Sequence, residues 1–93
     1  VRITWTIEAL DDLENILAYY YEQSWPVTAE AVEARIALAI EKLRDFPERI
    51  RASDRIPGAR ELGIHRLPYI AFVCVTVDEI QVLNIVHSMR KFP

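Results

Sequence analysis

The stretch "YIAFVCVTV", residues 69–77, limits the possible folds more than any other part of this chain. Its apolar residues follow one another instead of alternating, and most are β-branched or aromatic, as in a central strand covered on both faces. The chain has 93 residues, 52% of them hydrophobic and only two of them glycine. That composition predicts one folded domain over residues 1–93 with a single core and no long disordered stretch. No apolar run approaches the roughly 20 residues of a membrane helix. The opening residues alternate and then turn acidic, unlike a signal peptide, so the expected location is the cytoplasm. The one cysteine, Cys74, lies inside the central run and is expected to be a small buried hydrophobe. No Cys/His cluster has metal-ligand spacing, and no cofactor is expected.

Around that strand the sequence predicts a β-α-α-β-β-β order. "VRITW" alternates and reads as a short strand. Thr6 stands where a helix N-cap is wanted, with Glu8, Asp11 and Asp12 near the positive end of the helix dipole. Leu10, Leu13, Ile16, Leu17 and Tyr20 follow as one apolar stripe, and the helix should fade around Gln23–Trp25 because Pro26 disfavours helical dihedrals before it. A second helix is expected from Val27 or Thr28, with Val32, Ile36, Ala39, Ile40, Leu43 and Phe46 as its stripe and Pro47 as its stop. Two such helices form a hairpin that must lay its apolar side on a sheet. Residues 47–58 read as a charged loop. "ARELGIHRL" reads as a strand that Gly63 weakens and marks for a bulge. Asp78–Glu79 make a turn, and "IQVLNIVH" returns antiparallel to the central strand. The fold class is α+β, a helical hairpin packed on one face of a mainly antiparallel sheet.

Charge is unevenly placed. Residues 1–41 carry eight acidic and two basic side chains, whereas residues 42–66 carry seven basic and four acidic. A basic later surface suggests an anionic partner for one face. The sequence pI of 5.3 argues against tight, nonspecific binding to RNA or the ribosome. Phosphate-cradling glycine loops and serine-nucleophile signatures are missing. Asp11, Asp12 and Glu14 read as solvating the first helix or serving its N-terminus, ahead of a paired acid–base site. What remains is a cationic set: Arg60, His65, Arg66, His87, Arg90 and Lys91. In an antiparallel meander His87 and Arg90 come toward Arg66, where a histidine can handle protons while arginines hold phosphate. The plainer account has His87 capping its strand while the arginines face water. Arg49, Arg51 and Arg55 form a second basic set on the loop. Tyr19, Tyr20 and Tyr21 cannot all face one way on a helix. Tyr20 is expected in the core and Tyr19 or Tyr21 partly outside, where with Trp5 and Trp25 they would suit a protein interface or shield the hairpin's own seam.

"ITWTIEALDDLENILAYY", "LRDFP" and "ARELGIHRLPYIAFVCVTVDEIQVLNIVHSMRKFP" together resemble the RelE/ParE toxin superfamily over nearly the whole chain. The resemblance implies a bacterial type II toxin–antitoxin module. Its toxin stops growth and a cognate antitoxin neutralises it in a hetero-oligomer. Operator DNA is bound only through the antitoxin, and no membrane is involved. RelE-like members cut messenger RNA on the ribosome with basic residues plus a late Tyr or His, and ParE-like members poison DNA gyrase. Arg60, Arg66, His87 and Arg90 stand at RelE-like positions. Against that branch, no tyrosine follows the last strand, Lys42 and Lys91 are the only lysines, and the chain is acidic. "HSMRKFP" resembles ParE-like endings. The resemblance therefore implies a gyrase-directed toxin, not an enzyme, whose toxic surface is Arg60, Arg66, His87, Arg90 and Lys91. The alternatives are a ribosome-dependent endoribonuclease with Arg60, Arg66, His87 and Arg90 as its catalytic set, and a non-toxic antitoxin-binding member. Tyr19, Tyr21 and Trp25 are the expected antitoxin contacts.

Overall fold

The computed structural model describes residues 1–23, 26–47 and 50–89. Strand β1 (Arg2–Trp5) is followed by helices α1 (Ile7–Gln23) and α2 (Pro26–Glu41), and a 3-10 turn over Lys42–Arg44. Strands β2 (Arg51–Ala52), β3 (Arg60–Gly63), β4 (Tyr69–Val75) and β5 (Glu79–His87) complete the order. All five strands form one sheet in the order β1-β5-β4-β3-β2, with β1 parallel to β5 and the other pairs antiparallel. The α+β class, the hairpin and the mainly antiparallel sheet agree with the sequence reading. The added feature is β2, a two-residue strand inside the segment read as a loop. It is too short and too charged to show a period.

Register decides which side chains meet the helices. Tyr69, Ala71 and Val73 on β4 lie beside Ile80, Val82 and Ile85 on β5, and all six join Ala9, Ile16, Val32, Ile36, Ile40 and Leu43 from the helical side in one core. Ile3 and Trp5 pack against its edge, as do Leu13, Leu17 and Tyr20. Phe72 and Val86 are buried on the opposite face, so β4 is covered on both sides, as its continuous apolar run requires. Cys74 on that second face is only half-buried.

Two assigned core residues are placed differently. Leu10 is 50% exposed, and Ala9, fully buried, takes the place next to the sheet. The close seat at the first turn of α1 admits a methyl group and excludes a leucine. Phe46 is 54% exposed, because α2 gives way to the 3-10 turn at Lys42 and the 3.6-residue phase that would bring Phe46 inward is lost. The expected strand 59–67 is shorter at both ends. Gly63 lies at its end without a bulge, and Glu79 belongs to β5 rather than to the preceding turn.

The bulge is in β5. Phe72 pairs with Asn84 and Val73 with Val82, leaving Leu83 as the extra residue. A bulge strands backbone groups, and α1 takes them up. Thr6 caps α1 by accepting the Ala9 N–H at Oγ1 (3.0 Å), and the same hydroxyl donates to the Leu83 carbonyl at 2.7 Å. The Thr6 N–H donates to the Val82 carbonyl at 3.0 Å. One turn later, Asp12 Oδ2 accepts the Ile85 N–H at 2.9 Å and the Asn84 side-chain amide at 3.3 Å. Asp12 therefore fastens the helix to the sheet. That contact goes beyond the helix-solvating or N-terminal role that the sequence suggested for it.

Candidate functional site

The β3–β4 turn and the end of β5 are built side by side. Ile64 N–H donates to the Tyr69 carbonyl at 3.0 Å, and Leu67 N–H closes a tight turn onto the Ile64 carbonyl at 3.1 Å. The third residue of that turn is Arg66, with φ of 63°, a conformation that glycine or asparagine usually supplies. Its guanidinium is exposed at the tip together with His65. The adjoining Pro68 carbonyl accepts the Ser88 N–H at 2.8 Å, tying the turn to the residue after β5. Tyr69 stands directly opposite His87 in the ladder.

These bonds place His87 next to the Arg66 turn, as the meander argument expected. Arg60 is elsewhere. It is level with Val73, whereas His87 is level with Tyr69, so the two lie roughly 13 Å apart along the strands and two strands across. The Arg60 guanidinium is engaged by the Ile50 carbonyl at 2.9 Å. A cluster uniting Arg60 with His87 is therefore not formed, because residues that look close in sequence order sit at opposite ends of their ladders. Arg90, Lys91 and Trp25, all named as candidates from the sequence, lie outside the described residues, as does Arg49 of the loop set. Arg51 is paired with Asp54 at 2.9 Å.

His87 borders an open recess of about 400 Å³ whose other walls are Tyr19, Tyr20, Pro68 and Tyr69. Perpendicular rings build it. Tyr69 and His87 meet edge to face with centroids 5.7 Å apart, and Tyr19 and Tyr20 do so at 5.3 Å. Tyr69 is buried, and its phenol is pushed well above the usual tyrosine range by that burial first, then by its hydrogen bond to Tyr20 and the proximity of Tyr20 and Tyr19. The Met89 N–H donates to His87 Nδ1 at 3.1 Å. The sequence marks Tyr69 as the opening of the central strand but gives no sign of this pairing, which exists only through β4–β5 register.

A second concavity, about 370 Å³, lies between α2 and β3. Leu38, Phe46 and Leu62 line it, with Arg35, Lys42 and His65 at its margin. Leu38 is 57% exposed. Neither Arg35 nor Lys42 forms an ion pair among the described residues. On α1, Ile7, Leu10 and Tyr21 are also exposed, at spacings that put them on one helical face away from the core. Tyr19 and Tyr21 are each about half exposed, and Tyr20 packs inward, as expected. No group of three or more His, Cys, Asp or Glu side chains suited to a metal occurs among the described residues. No helix among them is long and apolar enough to cross a membrane.

A helical hairpin on a mixed sheet is the architecture this chain shares with toxins of the RelE/ParE superfamily. Residues 3–92 match the family model for the ParE toxin of the type II toxin–antitoxin system parDE, and the chain belongs to that family. It is 36% identical over 92 residues to a Sinorhizobium fredii protein described as "Putative toxin Y4kP", covering 99% of this chain and 93% of that one. It also superposes on a chain from the structure titled "Chromosomal ParDE TA system from P. aeruginosa" with a TM-score of 0.84. That match has 29% identity and covers 94% of this chain and 95% of the other.

Proposed function

We propose that this ParE-type toxin stops bacterial growth by binding DNA gyrase, through the surface formed by the Arg66 turn and the His87 end of β5. The match of residues 3–92 to the ParE family model carries the reading. The site supports it, since Arg60, one of the four residues a nuclease set would need, is held away from His87 by the ladder and bonded to a carbonyl. The deciding experiment is induction of the chain without any antitoxin, with thymidine and methionine incorporation followed in parallel. An early fall in thymidine is expected. An early fall in methionine, with cleaved messages, would instead establish the ribosome-dependent nuclease, which the exposure of His87 beside Arg66 favours as the second reading. Normal growth would mark a member that only binds antitoxin.

Neutralisation is by a cognate antitoxin laid along the helical hairpin. The exposed Leu38 and Phe46 with Arg35 and Lys42 beside them suit an amphipathic segment whose polar side is acidic, and Tyr19 and Tyr21 extend the contact along α1. Changing Tyr21 or Leu38 to Glu should weaken the complex at least tenfold, the effect of losing roughly 1.4 kcal/mol. Unchanged affinity in both variants would remove the hairpin from the interface.

A further inference from the structure

His87 is fixed on two sides by the chain itself. A backbone amide nitrogen can only donate, so the Met89 N–H at 3.1 Å identifies Nδ1 as the lone-pair nitrogen of the ring, and the ring proton resides on Nε2. The ring plane is set by Tyr69, which meets it edge to face at 82° and is itself held through its hydroxyl by Tyr20. The Ser88 N–H bond to the Pro68 carbonyl fixes the backbone just beyond. The exposed nitrogen is thus a ready donor beside the recess of Tyr19, Tyr20, Pro68 and Tyr69.

We infer that His87 is a binding residue of fixed tautomer. Its Nε2–H donates a hydrogen bond to a neutral carbonyl oxygen, from a peptide group or an Asn or Gln side chain, on the toxin's protein target, and Tyr69 and Tyr20 are positioning residues that aim it. The inference rests on the target-binding reading above. A carbonyl suits it because the neutral Nε2–H offers one uncharged donor, whereas a charged group of the target would be met by the Arg66 guanidinium of the neighbouring turn. Service as a general base would require the lone pair on Nε2. The proton would then move to Nδ1 and face the Met89 N–H, two donors against each other.

Glutamine separates the two roles, because its side-chain amide nitrogen reaches the place of Nε2 and donates, yet cannot take up a proton. Growth inhibition should fall about tenfold in His87→Ala, the effect of one lost hydrogen bond to a partner, and His87→Gln should recover part of that loss. Imidazole ¹⁵N spectra of the purified toxin should show Nε2 protonated and Nδ1 bare. In Tyr69→Phe, which keeps the ring and loses the hydroxyl, the His87 signals should broaden or split while far-UV circular dichroism stays unchanged. A folded His87→Gln as inactive as His87→Ala overturns the inference, and so does full activity of His87→Ala or a proton on Nδ1. The spectra answer even if a variant fails to fold. Incorporation labelling of the parent chain reports separately on the gyrase reading, so the two can fail independently.

Discussion

Asp12 on α1 accepts the backbone N–H of Ile85 on β5 at 2.9 Å, across 73 residues of sequence. Ile85 is buried just past the Leu83 bulge, so its amide is shielded from water where Asp12 meets it. Asp12→Ala should therefore destabilise the fold by about 1–3 kcal/mol, the cost of a buried donor left unmade. Asp12→Asn keeps an acceptor oxygen and should lose less. Urea unfolding of the two variants tests the order, and equal midpoints for Asp12→Ala and the parent chain would contradict it.

Thr6 joins a cap to a sheet contact through one hydroxyl. Thr6→Ala removes the acceptor for the Ala9 N–H and the donor for the Leu83 carbonyl together. The expected loss is about 2–3 kcal/mol, summing a cap and a hydrogen bond. Thr6→Ser retains the hydroxyl and should stay within about 1 kcal/mol of the parent in the same unfolding experiment.

Tyr69 predicts the alkaline behaviour of the fold. Its phenol loses a proton near pH 10 in the unfolded chain, and the folded protein holds that proton to higher pH. Below pH 10 both states are protonated and Tyr69 adds no pH dependence. Above it the unfolded chain binds fewer protons, so stability falls as pH rises, by at most about 1.4 kcal/mol per pH unit from this one group. Tyr69→Phe should flatten that slope between about pH 10 and 12, as read from thermal unfolding at stepped pH.

Arg66 occupies a left-handed turn position at a cost of roughly 1–2 kcal/mol for a residue with a Cβ. Arg66→Gly removes that strain and adds back roughly 0.5–1 kcal/mol of chain entropy to the unfolded state. The balance favours an unchanged or slightly raised melting temperature. Toxicity should nevertheless fall, because the guanidinium is gone from the proposed target surface. Retained toxicity would show that the turn serves only to connect β3 to β4.

The parts of this fold that were legible in the sequence are those set by local periodicity. The both-sided apolar run gave β4, the Thr6 cap gave the start of α1 and Pro26 its end, whereas α2 stops at Glu41, well before the Pro47 expected to end it. The bulge was not legible, because Leu83 looks like any apolar residue of an alternating strand until its partners are known. The role of Asp12 was hidden with it, since a carboxylate near a helix N-terminus already has a sufficient local explanation. For the site, His87 and Arg66 could be brought together by topology alone. Arg60 could not be excluded without register, and the Tyr69–Tyr20 support of His87 depends on which ring faces which, information no spacing carries.

Among the described residues the last strand in sequence, β5, lies between β1 and β4 and is the only partner of β1. A growing chain that has not yet passed Glu79 therefore has its opening strand without a neighbour, its first helix without the Ile85 and Leu83 groups it grips, and no His87. Closure of the sheet must wait for the synthesis of β5, and a polypeptide released before it has neither a closed core nor the proposed toxic edge. The order of strands thus withholds the proposed toxic edge until the message has been read through β5.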